Sequence, residues 1–218
     1  SEAAAQRWPG ERSLRADVAR AWALLGEPER AAQALSPTDR IGRMALAQDL
    51  AGLALEAQTL GRTFWEVGPG YWAFAEALVL GGEARLLLRL YDAEHRSVAD
   101  FFERASPKAI AAGPALIAAF QAAGRRAEAE ELAARLLRRL DQDVSAGMQP
   151  AHADYDRASV LALTGRRDEA VAALAAAVRG DWVNTAFVPV RLSERLAFRG
   201  LAGHPGLAAA QAELDARM

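Results

Sequence analysis

The chain has 218 residues, of which 52% are hydrophobic, with a formal net charge of −2 and no cysteine. That length can bury a substantial core, and the near-balanced charge provides no net field to draw in nucleic acid or anionic lipid. The missing thiols exclude disulfides, thiolate nucleophiles and cysteine-ligated zinc together.

Almost every segment carries apolar residues three and four apart, bounded by Gly, Pro, Ser or Asp, so the spacing predicts helices throughout. Ser13 is placed to cap a helix through Val18, Trp22 and Leu25 that stops at Gly26, and Pro28 to open a short second helix ending near Ser36-Pro37. Asp39 then starts a longer helix carrying Ile41, Met44, Leu46, Leu50, Leu53 and Leu60, closed by Gly61. Residues 61–70 read as an ordered loop, because Phe64, Trp65 and Val67 are too apolar to be left in water. A helical hairpin follows, Tyr71 to Leu80 and Glu83 to Tyr91, joined at Gly81-Gly82. After a helix through Val98, Phe101 and Phe102, Pro107 and Gly113-Pro114 punctuate the chain before Ala115 to Ala123. Leu132, Leu136 and Leu140 line a helix after Gly124. Beyond a linker at Ser145 to Pro150, one helix carries Tyr155, Ala158, Ala162 and Leu163, and its partner carries Ala170, Val171, Leu174, Ala177 and Val178. Gly180-Asp-Trp-Val-Asn-Thr reads as a second irregular loop, and Pro205 opens a final helix.

One unit recurs: Gly165-Arg-Arg-Asp-Glu-Ala170 repeats Gly124-Arg-Arg-Ala-Glu-Ala129 of 41 positions earlier, and Gly26-Glu-Pro-Glu-Arg-Ala31 is a shortened copy. Each copy is a glycine, a polar turn and an alanine five residues on. The glycine suits a left-handed helix end and the alanine lets a second helix approach closely. Neither helix of such a pair buries its apolar face alone, so pairs must stack. The spacing exceeds the roughly 34 residues of a regular helix-pair repeat, and the surplus fits the linker at 145–150.

Thr164-Gly165-Arg-Arg-Asp-Glu-Ala170-Val-Ala-Ala-Leu174-Ala-Ala-Ala177 resembles the inter-helix turn and second helix of the tetratricopeptide repeat family. Gly124 to Leu136 resembles it as well, and Gly26 to Leu35 in shortened form. The first helix of the last pair departs from the pattern, with Asp154 where the family has an aromatic. Gly180-Asp-Trp182 and the stretch Leu196 to Leu207 resemble the C-terminal ends of such repeats in bacterial signalling proteins, where they follow a winged-helix or cyclase-like domain. The resemblance implies one all-α domain over 1–218, with antiparallel helix pairs stacked as a short right-handed superhelix. Repeats are expected at about 13–37, 107–140 and 150–180, with a degenerate middle at 39–105 and capping helices at 186–218. The implied role is a scaffold that binds a protein or peptide segment, as the interaction or regulatory domain of a larger bacterial protein. The alternative is a small-ligand sensor domain of a bacterial signalling or transcription-regulatory protein.

No nucleophile elbow, phosphate loop, zincin helix or dinucleotide fingerprint occurs, so neither catalysis nor a cofactor is expected. In His152-Ala-Asp154-Tyr-Asp156, residues 152 and 156 share a helix face and 154 does not, so three metal ligands do not converge. His95 and His204 read as capping or surface histidines. The arginine pairs at 125–126, 138–139 and 166–167 lie among Glu and Asp as a mixed solvated face, which argues against direct nucleic-acid binding. No run reaches the roughly 18 apolar residues of a membrane helix, so no membrane insertion is expected. A cytoplasmic location is favoured, and a periplasmic one stays open for a piece of a membrane-anchored protein.

The partner-facing candidates are aromatic and polar. Phe64, Trp65, Tyr71, Trp72 and Phe74 crowd one irregular region, either as a local core or as an exposed hot spot. His152, Tyr155 and Ser159 fall on one helical face, and by the resemblance that face lines a concave groove, with Trp72 and Glu76 as counterparts in the middle hairpin. On that reading Tyr155→Ala weakens partner capture with little loss of stability. Oligomeric state is not legible in the sequence.

Overall fold

The computed structural model describes residues 15, 18–19, 21–22, 27–35, 40–47, 49–66, 71–180, 182 and 191–217. Among the described residues there are twelve α-helices and no strand. In chain order these are α1 (Pro28–Ala34), α2 (Arg40–Leu46), α3 (Leu50–Leu60), α4 (Tyr71–Leu80), α5 (Ala84–Glu94) and α6 (Val98–Arg104). They continue as α7 (Pro107–Ile110), α8 (Gly113–Ala122), α9 (Arg126–Ser145), α10 (Pro150–Leu163), α11 (Arg167–Arg179) and α12 (Pro205–Asp215). Tight 3-10 turns occupy Gly61–Glu66, Leu192–Glu194 and Leu196–Leu201.

The single long helix expected from Asp39 to Gly61 is two helices. The Asp49 carboxylate accepts the Gly52 amide at 2.8 Å, which caps α3, while the Asp49 N–H returns to the Met44 carbonyl at 2.9 Å and closes α2. A short acidic side chain that can satisfy free amides at a helix start competes with helix continuation at that point.

Four turns among the described residues share one geometry, one of them at Gly147, where φ is 102° and the Met148 amide reaches the Asp143 carbonyl at 2.8 Å; the other three join the helices of a pair. Gly82, Gly124 and Gly165 have φ of 85°, 76° and 79°, in the left-handed region that favours glycine. The amide that follows each reaches back five residues: Glu83 to Leu78 at 2.8 Å, Arg125 to Phe120 at 2.8 Å and Arg166 to Leu161 at 2.9 Å. This is a Schellman closure, which satisfies carbonyls left open at the end of a helix. The turn between paired helices therefore recurs at 82, 124 and 165, and the first of these lies inside the stretch 39–105 that the sequence presents as degenerate. Gly26 of the shortened copy lies outside the described residues, but the Glu27 amide after it reaches the Trp22 carbonyl at 2.9 Å, five residues back, and Pro28 opens α1.

The arginine of the recurring unit has a definite job. At the start of α9, Arg125 folds onto Glu128 through bonds of 2.6 and 2.5 Å and also reaches Asp92 of α5 at 2.9 Å. Arg166 repeats this on Glu169 at 2.7 and 2.5 Å at the start of α11. In the first turn Glu83 stands where these arginines do, so the backbone repeats without its sequence signature.

Packing follows the same rhythm. Helices α4 and α5, α8 and α9, and α10 and α11 pack as consecutive pairs. Both members of one pair touch the first helix of the next: α4 and α5 meet α8, and α8 and α9 meet α10. Helices α2 and α3 stand in that relation to α4, and α6 and α7 are inserted between the second and third pairs. One apolar core runs from Leu53 to Leu136, a second from Ala151 to Leu214, and Leu137 packs against both. Ala170 is 0% exposed in the second core. Ala170→Leu is expected to cost about 1–3 kcal/mol by overpacking. An unchanged melting temperature would show that α10 and α11 separate freely.

Candidate functional site

A cleft opens where α4, α8 and α10 meet the 3-10 segment at 192–201. Its cavity measures about 220 Å³. Helix α10 supplies His152, Tyr155, Asp156 and Ser159, because positions three and four apart share one helix face. Glu76 comes from α4, Ala115 from α8, and Arg195 and Leu196 from the 3-10 segment. A second depression of about 150 Å³ adjoins it between α8, α9 and α10, and shares Ala111, Pro114 and Asp156 with it. Ile110, Leu136, Leu140, Met148 and Val160 make this second depression largely apolar, with Arg139 and Asp143 at its edge.

The wall of the cleft is held by a buried ion pair between residues 119 positions apart. Arg195 Nε donates to Glu76 Oε1 at 3.0 Å and Nη2 to Oε2 at 2.6 Å, and the Leu196 amide adds a bond to Oε1 at 2.8 Å. Arg195 is 4% and Glu76 7% exposed. Such a bidentate pair fixes the orientation of both groups, and the extra amide satisfies a carboxylate that burial would otherwise leave short of donors. Tyr155 stacks on Trp182 with ring centres 3.9 Å apart and planes at 10°, and meets Phe198 edge-on at 5.7 Å. Burial pushes its phenol well above the ordinary value. Ser159 Oγ donates to the Tyr155 carbonyl at 3.0 Å, so this hydroxyl is spent inside its own helix.

Asp156 differs from its neighbours. It is accessible from the cleft, yet the protein around it pushes its carboxyl up to about 6, with Arg195 pulling the other way. Desolvation is the larger effect because Arg195 is already neutralised by Glu76.

Of the residues singled out from sequence, His152, Tyr155, Ser159 and Glu76 line this one cleft. Tyr155 and Ser159 are nevertheless 9% and 4% exposed, so both are core as much as wall. Trp65 is a correction. It is 8% exposed, its indole N–H donates to the Leu90 carbonyl at 3.0 Å, and it lies in the first core away from the cleft. The aromatic crowd around it resolves as packing, with Phe64 edge-on to Trp65 at 5.2 Å and tilted on Phe74 at 5.1 Å. The backbone of Trp72 lies in the first turn of α4, and its side chain is outside the described part. His95 caps the end of α5 by its backbone, but its side chain is buried rather than on the surface, between Trp65, Tyr91 and Phe101. Burial holds its imidazole below the ordinary value, against the opposing pull of Asp100.

Arg195, Trp182 and the role of Asp156 escape sequence reasoning. Arg195 is one of three arginines, at 191, 195 and 199, among Leu192, Leu196, Phe198 and Leu201, and nothing local singles it out or points it at Glu76. The cleft offers a charged wall, an accessible carboxyl and an apolar annex, an arrangement suited to holding a ligand. No protein-family profile, curated protein sequence or solved structure matches this chain.

Proposed function

We propose that the chain is a tetratricopeptide-like scaffold that binds a peptide segment of a partner protein, as the interaction or regulatory part of a larger protein. The observation that carries this reading is the shape of the site. Two adjoining depressions of about 220 and 150 Å³ share three lining residues; the first lies along α4, α8 and α10, the first helices of consecutive pairs, and the second continues from α8 and α10 onto α9. Successive shallow compartments suit successive side chains of an extended segment. A sensor for a small ligand would instead favour a single enclosed pocket of roughly 300–1,000 Å³. The packing of α4 on α8 and of α8 on α10 supports stacked pairs whose first helices line one surface, as in a superhelical repeat.

The test is selection of peptides on the purified chain from a phage-displayed library of random dodecapeptides. Ala111→Trp is the control, because Ala111 is exposed and lines both depressions, so an indole there fills the groove without entering the core. Selected peptides are expected to lose at least about tenfold in affinity for this variant. Peptides that bind it as well as the wild type would place the binding surface elsewhere.

A further inference from the structure

The groove contains one carboxyl with no hydrogen-bond or ion-pair partner among the described residues, at the point where its two compartments meet. Its other described charged groups are matched. Glu76 is bound by Arg195, and Arg139 donates to Asp143 at 2.7 Å. Asp156 lines both depressions and makes no hydrogen bond or ion pair among the described residues. With the other charges paired off, the groove presents an excess negative charge, and the walls beside it are apolar.

We infer that the groove recognises a basic peptide segment, with an arginine or lysine side chain on Asp156 and a neighbouring apolar side chain among Ile110, Leu136, Leu140 and Met148. The inference rests on the peptide-binding reading above and adds the chemistry of the peptide. Charge complementarity carries it. A carboxylate partly surrounded by protein interacts with an incoming cation at lower effective dielectric than in water, and an acidic segment there would meet repulsion that the described cations of the groove, each matched to a carboxylate, do not offset. The paired Arg195 offers no alternative docking point for an acidic group, since Glu76 and the Leu196 amide hold it in a closed arrangement. The apolar compartment sets the second requirement, since Met148 is 36% exposed at its edge and Leu136 and Leu140 form its floor.

The charge on Asp156 is present at neutral pH and is lost as the pH falls through about 6. Among the described residues, the titratable and charged groups facing it are Glu76 on α4, Arg195 on the 3-10 segment, His152 and Tyr155 on α10, and Arg139 and Asp143 on α9, while α8 contributes none. His152 lines the same cleft, so the wild type is compared with Asp156→Asn, which retains that histidine.

The experiment uses the peptides selected above whose binding Ala111→Trp abolishes. These are expected to be enriched in Arg or Lys next to Leu, Met or Phe. A synthetic consensus peptide should bind Asp156→Asn about tenfold more weakly than the wild type, and added salt should reduce wild-type affinity more than variant affinity. Acidification through pH 6 should narrow the gap between the two. Asp156→Arg should shift a repeated selection to acidic sequences. The melting temperature of Asp156→Asn should equal or exceed that of the wild type, which separates lost recognition from lost fold. Groove-dependent peptides that are acidic or uncharged, or an unchanged affinity in Asp156→Asn, would overturn the inference and leave peptide binding standing. Recovery of no groove-dependent peptide would overturn both.

Discussion

Arg195→Ala is expected to lower stability by about 3–5 kcal/mol, because it leaves the Glu76 carboxylate buried without its cation. For a chain of this size that corresponds to a fall of roughly 10 °C in melting temperature, measurable by circular dichroism. Glu76→Ala should cost a similar amount, since it strands the Arg195 guanidinium and also removes the acceptor of the Leu196 amide. The doubly apolar variant Glu76→Leu with Arg195→Met is the informative one. A buried pair often contributes little more than apolar residues of the same volume, so the double variant should recover most of the loss, short of the cost of the Leu196 amide. A loss below about 1 kcal/mol for Arg195→Ala would mean that water reaches the pair and that the 192–201 segment is not tied to α4 by it. Exposed pairs such as Arg166 with Glu169 are expected to matter far less, because both partners stay hydrated when the pair breaks.

Tyr155→Ala is expected to cost about 3 kcal/mol or more, because the ring is buried and sandwiched by Trp182 and Phe198. The earlier expectation, weaker partner capture with little loss of stability, is thereby revised. The residue is a structural member of the wall it presents to the cleft. Loss of the ring should also free Trp182 from its stack and change tryptophan emission in the folded state. Tyr155→Phe keeps the stacked ring and should remain near wild-type stability, and peptide affinity is best compared in that variant. Near wild-type stability for Tyr155→Ala would show that the cleft side of α10 is held by the backbone and by Phe198 alone.

Helical class and the positions of most helices were legible because an apolar stripe of period 3.6 and helix-ending glycines act over a few residues. The hairpin at Gly81-Gly82 and the pair around Gly165 were read correctly for that reason. The split at Asp49 was missed because an aspartate within an apolar-periodic stretch serves equally as a solvated residue and as a cap. Only its bond to Gly52 decides between them. The recurrence at Gly82 was missed because the arginine hook that marks the later turns is absent there, although the backbone geometry is shared.

By itself the sequence determined the all-helical build, the turn chemistry and the face of α10 that carries His152, Tyr155 and Ser159, since each depends on residues within a turn or two of one another. Tertiary structure alone decided that Trp65 is core, that Arg195 crosses 119 positions to Glu76 and that Asp156 has no hydrogen-bond or ion-pair partner among the described residues. Burial and charge pairing are properties of neighbours in space, and no local pattern encodes which distant helix end will arrive beside a given side chain.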